Sequence, residues 1–190
     1  MPRKTYREGR RYYGTFPEGF LKRLKALGVW REPVVDLTAG ENMDVDVRLD
    51  INPMVRPDAV CDSTRAPLRD GFAGLVLLDP YYSDEDYAKV GLKPFKFYRF
   101  VDEACRIVRP GGYVAILHQR NFSRKKHRDH MDIVAFIPIS VGPDRLLRIL
   151  QVWRKKPLLS SYFESDGFSG GAEQEVKQYS CQKKGGGERR

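Results

Sequence analysis

Four short apolar runs in the first half of the chain each lead into an acidic or polar cluster, and this pattern restricts the fold more than any other feature. Val34 to Leu37 runs through Asp36 into Thr38-Ala39-Gly40-Glu41-Asn42, and Val45 to Leu49 ends on Asp50-Ile51-Asn52-Pro53. Ala59 to Cys61 ends on Asp62-Ser63, and Leu75 to Leu78 on Asp79-Pro80-Tyr81-Tyr82. Runs this short, apolar without alternation, suit parallel strands covered on both faces. In open α/β sheets, the carboxyl ends of such strands are where ligands bind.

The remaining elements fit the same architecture. Thr15-Phe16-Pro17-Glu18 has the pattern of a capping box ahead of Phe20, Leu21, Leu24 and Leu27, with Gly28 closing that helix. Phe97, Phe100, Val101, Ala104, Ile107 and Val108 have helical spacing, and Arg109-Pro110-Gly111-Gly112 is expected to stop the helix before the strand Tyr113 to Leu117. Past a basic loop at 119–131, Ile133 to Ile139 and Leu146 to Trp153 are expected to pair as an antiparallel hairpin through Gly142-Pro143-Asp144. The predicted fold class is α/β: a Rossmann-like, doubly wound, mostly parallel seven-stranded sheet with an antiparallel edge hairpin strand.

A chain of 190 residues supports one catalytic-sized domain. We place it at 15–157, between a basic arm at 1–14 and a polar tail at 158–190 that is expected to be disordered. The net charge of +9 is concentrated: residues 1–11, 120–130 and 183–190 carry +4, +4 and +3, which leaves the rest slightly acidic. Basic patches on a near-neutral body suit a polyanionic partner, because each cation on a phosphate releases condensed counterions. Cys61, Cys105 and Cys181 form no metal or redox spacing, and neither a signal peptide nor a membrane-spanning run is visible, so a soluble cytoplasmic protein is expected.

Taken together, the four strand ends resemble the class I S-adenosylmethionine-dependent methyltransferases, specifically the amino-methyltransferases of the Asp-Pro-Pro-Tyr type that modify adenine or cytosine in DNA. The resemblance covers about residues 12–156, and small phage and prokaryotic proteins of this kind are similar along the whole chain. Phe16-Pro17-Glu18-Gly19-Phe20 resembles the element that packs over the methionine end of the cofactor. Arg109-Pro110-Gly111-Gly112 and Gln151-Val152-Trp153-Arg154-Lys155 resemble later signatures of the fold.

The resemblance implies S-adenosyl-L-methionine as cofactor and no metal. It implies that Phe16, Pro17 and the loop Asp36, Thr38, Ala39 and Gly40 cradle the cofactor, that Asp50 and Ile51 meet its ribose, and that Asp62 and Ser63 meet its adenine. Asp79, Pro80, Tyr81 and Tyr82 would handle the acceptor. An aromatic amine is a poor nucleophile because its lone pair is delocalised, and acceptors at Asp79 and Pro80 would favour pyramidal nitrogen and stabilise its growing charge. Tyr82 would stack on the extruded base.

The chain departs from the family pattern at two points. The cofactor loop lacks a second glycine pair, and only fourteen positions separate Asp36 from Asp50, where a full βαβ crossover needs about ten to twelve residues between its strands. The first crossover helix is therefore expected to be very short or absent. Tyr81 stands where the family has proline.

Arg120, Arg124, Lys125, Lys126 and Arg128 are candidate phosphate contacts near the mouth of the site. His127 and His130 have a spacing that would suit a metal, but among these cations they fit a solvated basic loop better. His118, at a strand end, is either pocket lining or a satisfied structural histidine. Tyr6, Tyr12 and Tyr13 among Arg3, Arg7, Arg10 and Arg11 form either a nucleic-acid arm or a solubilising terminus.

The gaps at 83–96 and 119–131 are too small for a separate recognition region. Broad recognition of single-stranded or locally opened DNA is expected, or a partner protein that supplies specificity, with RNA a lesser alternative. Two other outcomes stay open: the same fold methylating a small molecule or a protein, and a binding module without catalysis.

Overall fold

In the computed structural model, residues 16–157 are described apart from 90, 92, 94, 95 and 141–146. The expected N-terminal arm and C-terminal tail, and the Gly142-Pro143-Asp144 turn, lie outside the described residues. Seven strands form one sheet: β1 (Val34–Asp36), β2 (Val47–Asp50), β3 (Ala59–Val60), β4 (Ala73–Leu78), β5 (Val108–His118), β6 (Met131–Ile139) and β7 (Arg148–Lys155). Their order is β3-β2-β1-β4-β5-β7-β6. The first five are parallel, and β7 runs antiparallel between β5 and β6, as expected from the sequence. Strand order reverses between β1 and β4, where a doubly wound sheet opens a crevice for a ligand.

Both faces of the sheet are covered, and side-chain alternation assigns each residue to a face. Val76 and Leu78 of β4 and Val114 and Ile116 of β5 pack with Phe100, Val101, Ala104 and Ile107 of helix α3 (Phe97–Ile107). Their neighbours Leu75, Leu77, Ala115 and Leu117 pack on the other face with Phe20 and Leu24 of helix α1 (Phe20–Ala26). All of these strand residues are at most 1% exposed, which explains why their sequence shows no polar alternation. Two short helices, α2 (Asp84–Lys89) and α4 (Lys125–Arg128), stand after β4 and β5.

Several local expectations need correction. α1 is not opened by a capping box: Gly19 occupies the N-cap in a left-handed conformation with no side-chain cap. The Pro17 carbonyl instead accepts the Phe20 amide at 3.0 Å, and this turn starts the helix, while Thr15 lies outside the described residues. Gly28 does follow the helix end, at φ 69°, donating its amide to the Lys25 carbonyl. Arg109-Pro110-Gly111-Gly112 does not separate α3 from the next strand but belongs to β5, where the pairing with β4 shifts between Ala73 and Leu75. The basic stretch is not a plain loop, since α4 forms within it and buries His127 to 5% exposure.

The chain between β1 and β2 contains no helix, as the short spacing requires. Arg48 takes the place of that helix. It is 5% exposed, and its guanidinium donates to the carbonyls of Asn42, Gly40, Val55 and Arg56, tying the loop after β1 to the turn after β2. Two aspartates align the short strands at their starts. The Asp46 amide bonds the Val34 carbonyl while its carboxylate accepts the Val34 amide at 2.7 Å. Asp58 repeats the arrangement on Arg48, also at 2.7 Å.

Gly74 is required by close approach, since a Cβ there would stand 2.4 Å from the Arg31 carbonyl oxygen. Arg48 is the more informative position, because removing its guanidinium leaves several part-buried carbonyls without a donor. Arg48→Met is expected to lower the unfolding free energy by about 3 kcal/mol, read from the midpoint of a urea titration. A change under about 0.5 kcal/mol, the range of ordinary surface substitutions, would show that the guanidinium is not the tie.

Candidate active site

The loop 37–40 is laced to strands on both sides of β1. Leu37 donates its amide to the Leu77 carbonyl and Ala39 to the Leu49 carbonyl, each at 3.1 Å. The Asp79 amide donates to Thr38 Oγ1 at 2.8 Å, and the Gly40 amide to Asp50 Oδ2 at 2.9 Å. These bonds hold the tips of β1, β2 and β4 together. Gly40 adopts φ 49°, a region that favours glycine.

Asp36 lies beneath this loop, fully buried. Oδ1 accepts the Thr38 amide at 3.0 Å and Oδ2 the Asn42 side-chain amide at 2.8 Å, so the carboxyl shapes the loop from inside. Burial pushes its pKa up to about 7, against the effect of those two donors, and the nearby Asp79 and Asp50 charges add to the rise. Asp50, half-buried, also accepts the Asn52 amide at 2.8 Å through Oδ1. Asp62 caps the 3-10 turn Ser63–Arg65, accepting from the Thr64 amide and hydroxyl through Oδ1. Ser63 is buried with its hydroxyl unpaired. Phe16 stacks on Phe20 with ring centroids 4.4 Å apart and packs on the α1 side of the core.

The turn after β4 brings Asp79, Pro80, Tyr81 and Tyr82 to the same edge of the sheet. The Asp79 side chain is 6% exposed, and burial pushes its pKa up to about 6 despite the Tyr82 hydroxyl donating to Oδ1 and Arg148 standing 3.7 Å from Oδ2. Arg148 also lies over the Tyr82 ring, 5.2 Å from its centroid. Tyr82 is therefore folded back onto Asp79. Burial and the adjoining carboxylate hold its hydroxyl well above the ordinary phenol range.

Beside this turn lies a recess of about 210 Å³, lined by Tyr81, Tyr82, Tyr87, Phe97, Phe122 and His118. Arg120 lines it too. Its far wall is set by Gln151, 1% exposed, whose amide donates to Asn121 Oδ1 and the Phe122 carbonyl and accepts the Phe122 amide. Motif reading did not single out Gln151, Arg148, Phe97 or Phe122 as site residues. A glutamine inside the apolar run Leu150-Gln151-Val152-Trp153 was the available signal, since a buried amide needs partners.

The five basic candidates separate. Arg120 is exposed at the recess, whereas Lys126 pairs with Asp102 at 2.6 Å, Lys125 with Asp129 at 3.3 Å, and Arg128 bonds the Ser123 hydroxyl at 2.7 Å. Arg124 lies 4.1 Å from the Tyr98 ring centroid. His127 is not solvated: it is buried with Nε2 2.6 Å from Asp102, while His130 is exposed. Partial burial raises the Asp102 pKa, but hydrogen bonds from Lys126 and His127 outweigh it and hold the carboxyl below its ordinary value. No three His, Cys, Asp or Glu side chains group as metal ligands among the described residues, and no described helix is long and apolar enough to cross a membrane.

Asp36 makes the stability of this cluster depend on pH. Its pKa is 3.8 when free and about 7 when folded, so between these values the folded state keeps a proton that the unfolded chain has released. The contribution is complete below about pH 4 and is lost as pH rises through 7. Asp36→Asn is expected to flatten that part of the stability curve, measured by urea denaturation at pH values from 5 to 8. An unchanged slope would contradict the burial of this carboxyl.

No protein-family model and no curated protein sequence matches the chain. Similarity appears among solved structures. 1,6-Didemethyltoxoflavin-N1-methyltransferase from Burkholderia thailandensis, crystallised with 1,6-didemethyltoxoflavin and S-adenosylhomocysteine, aligns at a TM-score of 0.50 and 15% identity over 70% of this chain and 74% of its own. A protein from Streptococcus thermophilus, provisionally described as a hemolysin, aligns at 0.50 and 11% identity over 78% and 70%. The N-methyltransferase NodS from Bradyrhizobium japonicum aligns at 0.46 and 12% identity over 72% and 92%. With its strand order and antiparallel β7, the chain has the Rossmann-like fold of the class I S-adenosylmethionine-dependent methyltransferases.

Proposed function

We propose that this chain is an S-adenosylmethionine-dependent methyltransferase whose acceptor is an exocyclic amino group of a nucleic-acid base, with DNA adenine or cytosine foremost. The observation that carries this reading is the aromatic recess beside Asp79-Pro80, at a sheet edge where the β1, β2 and β4 tips are hydrogen-bonded together. A recess walled largely by rings accepts a flat ring, and Arg120 at its rim suits a ligand attached to a phosphate backbone, although Asp84 lines the recess as well.

The donor set fits the cofactor. Asp50 is half-buried and, among the described residues, its two oxygens accept the main-chain amides of Gly40 and Asn52, which leaves lone pairs for two ribose hydroxyls. Asp62 keeps Oδ2 clear of its own turn for an adenine amino group, and the 38–40 loop and Phe16-Pro17 would cradle the methionine portion. S-adenosylmethionine, when bound, supplies a methyl group already activated on a sulfonium.

This chain's residues then act on the acceptor. An incoming amine donates to Asp79 in place of the Tyr82 hydroxyl, and the Pro80 carbonyl takes its second N–H. These two acceptors sharpen the nitrogen lone pair and stabilise the positive charge that grows on it. With a pKa of about 6, Asp79 is mostly ionised at neutral pH and can receive the proton the methylated nitrogen releases. Tyr82, freed from Asp79, turns its ring toward the base. Single-stranded or locally opened DNA is the favoured substrate, since extruding a paired base costs a few kcal/mol, and a partner protein would supply sequence specificity.

A second reading, methylation of a small heterocycle, is favoured by one observation: four of the five basic-loop cations, though exposed, already have local partners. Labelled cofactor offered single-stranded DNA, duplex DNA, RNA and a metabolite extract separates the two. Label in DNA supports the first, and label confined to small molecules overturns it. Asp79→Ala is expected to lower transfer at least about a hundredfold with cofactor affinity within about threefold of the parent. Asp50→Ala is expected to weaken cofactor binding about tenfold or more. Both variants turning over like the parent would refute the assignment.

A further inference from the structure

The acceptor groups at Asp79 and Pro80 account for the amine but leave unexplained a donor that faces the same recess. His118 ends β5, 6% exposed, and its Nδ1 accepts the Arg120 amide at 3.0 Å. A neutral imidazole carries a single N–H, so this bond places the proton on Nε2. The ring is wedged edge-on against Tyr82, with centroids 5.1 Å apart and planes at 83°, and lies 4.3 Å from Phe97. Nε2 has no hydrogen bond among the described residues, yet it is not one of the sealed, unpaired polar atoms of the structure, so it remains reachable from the recess. Burial, and then the charge of Arg120, push the imidazole pKa down to about 4 against a backbone hydrogen bond at Arg120 that raises it, so the ring is uncharged at neutral pH.

This geometry rules out one role and supports another. With the Nδ1 lone pair occupied and Nε2 protonated, His118 has no lone pair to take a proton from the acceptor amine. It is a fixed donor in a recess whose rings share the wall with Ser83, Asp84, Arg120 and Asn121, and a substrate that meets this N–H is favoured over one that leaves it unmet. Resting on the proposed base-methylating function, we propose that His118 is a specificity-determining residue whose Nε2–H donates to an acceptor atom on the substrate ring. The site then reads two features together: an exocyclic amine at Asp79 and Pro80, and a ring nitrogen or carbonyl at His118. Aromatic amines that lack the second feature are excluded.

The test uses single-stranded oligonucleotides carrying adenine or its 1-, 3- and 7-deaza analogues, and cytosine or 3-deazacytosine. Each is assayed for methyl transfer with the parent chain, His118→Phe and His118→Gln. Melting temperature and S-adenosylhomocysteine affinity serve as checks on folding. His118→Phe is expected to lower kcat/KM about ten- to hundredfold on the natural base, with cofactor affinity unchanged, and His118→Gln, which retains an N–H donor, to recover part of the loss. One deaza position should cost the parent a similar factor and cost His118→Phe nothing further. If His118→Phe discriminates against the deaza bases as the parent does, the inference fails while base methylation stands. If no oligonucleotide accepts a methyl group from any form of the chain, the functional reading fails and takes this inference with it. Side-chain ¹⁵N spectra add a substrate-free check, since an Nδ1-protonated ring or an imidazolium at pH 6.5 overturns the inference directly.

Discussion

Two hydrogen bonds, from the Asp79 amide to Thr38 Oγ1 and from the Gly40 amide to Asp50 Oδ2, decide whether this sheet edge is a site or only a row of loop ends. Each joins the loop after β1 to a neighbouring strand tip, so the proposed cofactor carboxylate and the proposed acceptor carboxylate are both referenced to the same short segment. Asp36, buried under that segment, sets its shape from within. The charges of Asp79 and Asp50 lie close enough to add to the rise that burial imposes on the Asp36 pKa, so the edge gathers acidic side chains where a cationic donor would be favoured.

The missing crossover helix gives this arrangement a further physical interest. A helix N-terminus ordinarily contributes partial positive charge and amide donors near an anionic group. Here the connection after β1 is held by a buried guanidinium that spends its donors on four carbonyls, and the fold preserves strand order and register without the helix. Order at the site comes from an arginine in the next strand. The amides of Thr38, Ala39 and Gly40 are likewise taken up inside the fold, by Asp36, the Leu49 carbonyl and Asp50.

Much of the architecture was legible because its determinants are local. Val34-Val35, Leu75 to Leu78 and Val114 to Leu117 are apolar on both faces because both faces are covered, and the thirteen residues between Asp36 and Asp50, some of them in β2 itself, leave too little chain for a full crossover. The acidic strand ends lie where the spacing put them. What could not be read are interactions made across the sheet: Arg148 reaching Asp79, Gln151 gripping the 121–122 turn, and Asp102 drawing His127 inward from a run of cations. Sequence distance hides such partners, and a charged run such as 124–128 has the composition of a solvated loop even though one of its members is buried. The capping-box reading failed for a related reason, because a proline carbonyl and a left-handed glycine can start a helix without any side-chain cap.

Everything chemical here rests on the β1, β2 and β4 tips forming a receptor for S-adenosylmethionine. Isothermal titration of the full chain with S-adenosylmethionine measures that directly. A saturable isotherm with a dissociation constant in the micromolar range is the predicted result. Absence of binding up to millimolar cofactor would contradict the account and leave a methyltransferase fold without its cofactor site.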